Sequence, residues 1–186
     1  PNEFWYLWRR FLPEDLWKYT NAQLISNVDI GIMRKEFLGI ANVFKKPLAM
    51  KGMICNYHIE FLNQVFPNSV FIFSKRDIDK NVQSLLRARE RQYGTRDHWY
   101  SFYIPEYEEL CKISDPEEQV YRQICSINKT IENGLVHIPS ERKIYITYED
   151  FCKDPSSYYQ MIRSSLQYLG YDINPNYSGE KLFHAR

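Results

Sequence analysis

The feature that most constrains this fold is a continuous apolar run over Ser69–Ser74, which follows Pro67 and Asn68 and precedes charged residues. A bounded run of this kind is typical of a strand in a parallel sheet that is buried on both faces. A second run of the same character covers Lys143–Tyr148, and helical patterns separate the two. Strands that alternate with helices predict an α/β fold with a parallel sheet. Because no repeat or low-complexity linker interrupts the chain, we predict a single domain over residues 1–186.

Apolar spacing and helix-breaking residues also predict the remaining strands and helices. The short apolar run Leu48–Met50, which ends at Lys51, predicts a further buried strand. Gly134 is predicted to end the helix that precedes the second strand. The predicted helices cover residues 27–44, 58–65, 79–92, 119–133 and 155–169, with helical turns broken at Pro13 over 2–19 and a long excursion over 95–119.

Composition narrows the class of protein. Lys and Arg number 24 against 23 Asp and Glu, a net charge of +1 that argues against a dedicated nucleic-acid binder. The four cysteines form no CxxC pair and are too few for a disulfide scaffold, so we predict no metal site. No apolar run approaches the ~18 residues of a membrane span. We therefore expect a cytoplasmic protein, or one of the Golgi lumen if an upstream membrane anchor was removed.

Positive charge is concentrated directly after the clearest strand. Residues 75–96 hold seven basic and three acidic residues, although the whole chain is nearly neutral. In open α/β sheets, ligands bind beyond the carboxyl ends of the strands, next to the start of the following helix. This position and charge favour a phosphate or sulfate ligand. On a helix starting near Asp79, the apolar face is shared by Val82, Leu85, Leu86 and the stem of Arg89. Ser84 points away from this face, toward solvent or a ligand.

These residues resemble a known signature. Phe66 and Pro67, then the strand, then Arg76, and Ser84 eight residues later resemble the 3′-phosphate-binding segment of sulfotransferases. The run that begins at Tyr148 (YEDF) is similar to a segment that follows a later strand in the same family. The resemblance implies a three-layer sandwich with a central parallel sheet, like the P-loop nucleoside triphosphate hydrolases. It also implies that Arg76 and Ser84 bind the 3′-phosphate of 3′-phosphoadenosine 5′-phosphosulfate, and that Tyr148 contacts its adenine.

Two further segments fit a bacterial-type member of this family, and one expected segment is missing. Lys51 resembles the family's strand lysine, and the opening Asn2–Trp5 (NEFW) resembles an aromatic segment after its first helix. The loop that holds the 5′-phosphosulfate is not found, since all seven glycines are isolated and no GxxxxGK[ST] occurs. We expect that loop and the first strand to lie upstream of Pro1.

The resemblance implies transfer of a sulfuryl group, which needs a base for the acceptor but no metal. Glu3 and His58 are the two candidates for this base. The aromatic residues between 93 and 119 predict a lid over the acceptor, which is a small molecule, a carbohydrate or a phenol. The acidic residues in the same region disfavour a polyanionic acceptor.

Two other functions remain open at this point. A P-loop nucleotide or small-molecule kinase would share the core, with the arginines of residues 87–96 in its lid. A non-catalytic nucleotide-binding module would explain the missing loop and the absence of a histidine two residues after Lys51, where Met53 stands.

Overall fold

The structure is a computed structural model that describes residues 4–184. This part of the chain combines helices with a small parallel sheet. Short 3-10 turns lie at Leu16–Lys18, Met53–Cys55 and Ser140–Arg142. The α-helices are α1 Trp5–Trp8, α2 Asn21–Asn27, α3 Ile30–Phe44, α4 Ile59–Val65, α5 Ile78–Tyr93, α6 Tyr107–Leu110, α7 Pro116–Leu135, α8 Tyr148–Lys153 and α9 Pro155–Tyr168.

Both strongly predicted strands are present. Strand β1 covers Phe71–Lys75 and strand β2 covers Lys143–Thr147. They pair in parallel, with Phe71 opposite Lys143 and Lys75 opposite Thr147. The chain between them carries α5 and α7, which pack against each other. The alternation of strand and helix therefore gave the correct class, and within residues 4–184 the sheet consists of these two strands.

The expectation that β1 is buried on both faces is wrong for the described residues. Phe73 is buried against Ile59, Leu135 and Ile138, on the face that α4 and α7 cover. Ile72, on the opposite face, is 48% exposed. Successive side chains of a strand point to opposite faces, so a layer of helices on one side leaves the alternate residues uncovered.

A predicted third strand over Leu48–Met50 is also wrong. Residues 47–52 have no regular secondary structure, and Leu48 is 37% exposed. Three apolar residues bury little surface, and a strand also needs a neighbour to pair its backbone groups. Met50 instead packs its side chain against the core cluster that contains Met33 and Phe61.

Local capping explains most of the helix boundaries. Asp77 accepts a hydrogen bond from the backbone N–H of Lys80 (3.0 Å) and so starts α5. Gly94 ends α5 with a φ of +74°, a conformation that glycine adopts without strain. The helix predicted over 27–44 corresponds to α3, which begins only at Ile30 because Asp29 caps it. Helix α2, which Thr20 caps, precedes it and was not predicted.

The sequence predicted that Gly134 ends α7, but the helix continues to Leu135. Gly134 lies inside the helix and faces Ile59 of α4, where an added Cβ would stand 2.9 Å from the Ile59 Cβ. The glycine therefore serves close packing between α4 and α7. At the other end, Asp115 accepts a bond from the N–H of Glu117 and Pro116 occupies the first turn, so α7 begins earlier than predicted.

No helix within residues 4–184 is both long enough and apolar enough to cross a membrane.

Candidate functional site

The parallel register of the sheet brings Arg76 and Tyr148 together. Lys75 and Thr147 are paired at the ends of β1 and β2, and Arg76 and Tyr148 are the next residues along each strand. The guanidinium carbon of Arg76 lies 5.2 Å from the centre of the Tyr148 ring, a cation–π contact. The two residues that sequence analysis assigned to one ligand therefore share the carboxyl edge of the sheet.

A carboxylate from the start of α8 completes this cluster. Glu149 Oε1 lies 3.9 Å from Arg76 Nε, and Glu149 Oε2 accepts a hydrogen bond from the backbone N–H of Asp77 (3.3 Å). The side chains of Arg76 and Glu149 are only 21% and 17% exposed. Limited exposure reduces the screening of this charge pair by water. Glu149, which the motif comparison had not singled out, thus helps to orient Arg76 and links the ends of the two strands.

This arrangement suits recognition of a phosphorylated nucleoside. A guanidinium presents planar N–H donors that match the oxygens of a phosphate, and an aromatic ring offers a flat face to a base. The adjacent Lys75 forms an ion pair with Glu132 of α7, so its charge is partly offset.

Ser84 lies on α5, the helix that begins beside Arg76. Its side chain is half-buried. Of the four residues predicted on the apolar face, Val82, Leu86 and Arg89 are buried and Leu85 is half-buried. Ser84 follows the capping residue Asp77 by seven positions, nearly two helical turns or roughly 10 Å along the axis. Both residues therefore lie on one side of the helix.

Of the two candidates for the base, the described residues include only His58. His58 is 2% exposed, and its Nε2 donates a hydrogen bond to the backbone carbonyl of Leu16 (2.9 Å). Burial lowers the pKa of His58, while the Leu16 hydrogen bond acts in the opposite direction. Through this hydrogen bond, the imidazole holds the N-terminal segment against the start of α4. Glu3 lies outside the described residues, so the choice of base stays a prediction.

The excursion that was expected to form a lid is held by buried polar side chains. Arg89 Nη1 donates to the carbonyl of Arg96 (3.0 Å) and to Gln119 Oε1 (2.6 Å). Gln119 Nε2 in turn donates to the carbonyl of Leu110 (3.0 Å). Burial lowers the pKa of Arg89. Arg89 and Gln119 therefore join α5 to α7, and through the carbonyls of Arg96 and Leu110 they also hold the two ends of the excursion.

Gln123 forms hydrogen bonds with the middle of the same excursion. Its Nε2 donates to the carbonyls of Tyr100 (3.1 Å) and Phe102 (3.0 Å), and its side chain has no exposed surface. The Phe102 carbonyl also accepts from the indole of Trp99 (3.0 Å). Sequence reasoning missed Gln119 and Gln123, whose only signal is their one-turn spacing on α7.

Four aromatic rings meet where this excursion crosses the N-terminal segment. Trp17 stacks on Tyr103, with ring centres 5.0 Å apart and planes 21° apart. Trp99 is nearly parallel to Tyr103 at 6.4 Å, and Tyr107 meets both Trp99 and Tyr103 edge to face.

Among residues 4–184, no group of three or more His, Cys, Asp or Glu side chains is arranged to hold a metal ion. Comparison of the chain with protein-family models, with curated proteins and with solved structures finds no match in any of the three. We therefore infer the function from the motifs and from the geometry of the strand ends.

Proposed function

We propose that this protein is a sulfotransferase that uses 3′-phosphoadenosine 5′-phosphosulfate. The proposal includes the finer fold, a three-layer sandwich of the P-loop type in which β1 and β2 are two strands of the central sheet. One observation carries it: Arg76 and Tyr148, which come from motifs more than seventy residues apart, contact each other beyond the carboxyl ends of two parallel strands.

The chemistry of the cluster supports the proposed donor. Arg76 supplies charge-assisted hydrogen bonds to the 3′-phosphate, and Ser84, which lies on the same side of α5 as its capping residue Asp77, supplies a neutral donor. Tyr148 offers its ring to the adenine. Glu149 holds the guanidinium in place before the ligand arrives, which reduces the ordering that binding requires.

The proposed reaction is an in-line displacement at sulfur. An oxygen or nitrogen of the acceptor forms a bond to sulfur while the bond between sulfur and the bridging phosphate oxygen breaks. The leaving 3′-phosphoadenosine 5′-phosphate keeps the electron pair, and the acceptor proton passes to a base, for which Glu3 and His58 are the candidates. Cationic donors stabilise the sulfonate oxygens during transfer.

Calorimetric titration with 3′-phosphoadenosine 5′-phosphate tests the donor site. Arg76→Ala should weaken binding by about 2–4 kcal/mol, or roughly 30- to 900-fold, because a charge-assisted phosphate contact is lost. Arg87→Ala is the matched control, since it removes the same charge from an exposed position of α5. Equal affinities of the two variants would contradict the proposal.

Separate variants decide between the base candidates. Glu3→Gln or His58→Ala should abolish sulfuryl transfer without changing the affinity for the nucleotide product. Because His58 is buried, its variant is also checked for thermal stability, so that lost folding is not mistaken for lost catalysis. Full activity in both variants would exclude both residues as the base.

A further inference from the structure

The last described part of the chain, residues 171–184, returns to the helix that carries Tyr148. We propose that this C-terminal segment positions α8 and that Phe183 is the positioning residue, so that the segment sets the affinity of the nucleotide site. The inference rests on the proposed function, because it concerns the same site. It assigns a role to a part of the chain for which sequence analysis predicted none.

Helix α8 depends on support from elsewhere in the chain. It has six residues, Tyr148–Lys153, and a helix of this length is not stable by itself in water. Its first two residues, Tyr148 and Glu149, belong to the candidate site. The last backbone carbonyls of a helix have no partner within it and need an external donor. Contacts at the carboxyl end of α8 therefore affect the geometry of the site at its start.

Phe183 supplies two such contacts. Its backbone N–H donates a hydrogen bond to the carbonyl of Cys152 (2.7 Å). Its ring stacks on the ring of Phe151, with centres 5.7 Å apart and planes 11° apart. Phe151 follows Tyr148 by three positions, so both side chains lie on one side of α8. Phe183 therefore holds α8 through its backbone and through its side chain.

Hydrogen bonds to α9 fix the segment before it reaches α8. The backbone carbonyls of residues 173–175 each accept a hydrogen bond from a side chain of α9. The donors are Tyr159, Gln160 and Arg163. Phe183 follows this anchored stretch by only eight residues, so little loop entropy is lost when its ring meets α8. The segment therefore reaches α8 from a fixed course along α9.

The position of α8 matters for the ligand because both of its site residues contact Arg76. The centre of the Tyr148 ring lies 5.2 Å from the guanidinium carbon of Arg76, and Glu149 also accepts a hydrogen bond from the N–H of Asp77. If α8 loosens, Tyr148 and Glu149 lose this fixed arrangement, and the ligand must restore it on binding. Removal of the Phe183 ring should therefore lower the affinity for the nucleotide through α8.

Calorimetric titration with 3′-phosphoadenosine 5′-phosphate tests the inference. Phe183→Ala should weaken binding at least about fivefold, and Phe183→Tyr, which keeps the ring, should stay within about twofold of the wild type. Leu182→Ala is the matched control, because Leu182 is the neighbouring residue, is 57% exposed and should not alter the affinity. Equal affinities of Phe183→Ala and Leu182→Ala would overturn the inference.

A double-mutant cycle separates positioning from a general loss of structure. Phe183→Ala should weaken binding less in a Tyr148→Ala chain than in the wild type, because the Phe183 ring acts partly through Tyr148. Equal losses in the two chains would show that Phe183 acts independently of Tyr148 and would overturn the inference.

Hydrogen exchange of the ligand-free chain gives a readout that does not need the nucleotide. Phe183→Ala should speed the exchange of the α8 amides and leave the exchange of the α7 amides unchanged, because only α8 loses support. Unchanged exchange in α8, or faster exchange with unaltered nucleotide affinity, would overturn the inference. If the wild type bound no nucleotide while α8 exchanged faster in Phe183→Ala, the proposed function would fail and the support of α8 by Phe183 would stand.

Discussion

Gln123 provides a direct test of how the excursion is fixed. We consider Gln123→Met, which keeps the length and helix propensity of the side chain but removes its two hydrogen bonds to the carbonyls of Tyr100 and Phe102. The Phe102 carbonyl keeps its bond from the Trp99 indole, so the Tyr100 carbonyl bears most of the loss.

The expected cost follows from these contacts. A net hydrogen bond contributes about 1 kcal/mol, and a buried carbonyl left without a partner costs about 1–3 kcal/mol. We therefore expect opening of the excursion to become easier by about 1–3 kcal/mol. That change corresponds to a roughly 5- to 150-fold larger open population.

Native-state proteolysis measures this population. Chymotrypsin cleaves after aromatic residues, which are abundant between 99 and 107, and cleavage tracks the open fraction when reclosing is fast. The rate of cleavage within this range, located by mass spectrometry, should rise in Gln123→Met by the factor given above. Arg122→Gln is the control, because it changes an exposed side chain on the same helix that pairs only with Glu118 across one turn among the contacts described. Equal cleavage rates in the two variants would refute the idea that Gln123 fixes the excursion.

Two further predictions concern packing and pH. Gly134→Ala should lower the free energy of unfolding by about 1–3 kcal/mol because its methyl group would collide with Ile59, whereas Gly39→Ala, with no atom within 4 Å of the added Cβ, should raise it by about 0.5–1 kcal/mol in denaturant titrations. A destabilised Gly39→Ala or a neutral Gly134→Ala would contradict this. Burial lowers the pKa of His58 from 6.5, so the unfolded chain takes up the proton first and stability falls as the pH drops below about 6.5. The loss of stability between pH 7 and 5 should be smaller in His58→Gln than in the wild type; an identical loss would show that His58 is not the group responsible.

The sequence predicted those parts of the fold that depend on local pattern. The two strands, α5 and α9 follow from apolar runs and helical spacing, since these patterns decide which face can be buried. The proximity of Arg76 and Tyr148 could also be predicted, because residues that follow paired parallel strands lie at one edge of the sheet.

Features that depend on contacts between residues distant in sequence could not be predicted. Gly134 is a helix stop by local rules, but its lack of a side chain is used for packing against Ile59. Gln119 and Gln123 are ordinary polar helix residues until the carbonyls of the excursion meet them. The exposed segment around Leu48 shows the converse, in which an apolar run lacks the partner that would make it a strand.

The central claim is that Arg76 binds the 3′-phosphate of a nucleotide whose adenine contacts Tyr148. The most direct test compares the affinities of the wild-type chain for 3′-phosphoadenosine 5′-phosphate, AMP and ATP under one set of conditions. We predict that the 3′-phosphorylated nucleotide binds at least 30-fold more tightly than AMP, because AMP lacks the 3′-phosphate that Arg76 is proposed to bind. Equal affinities for the 3′-phosphorylated nucleotide and AMP, or a preference for ATP, would contradict the account.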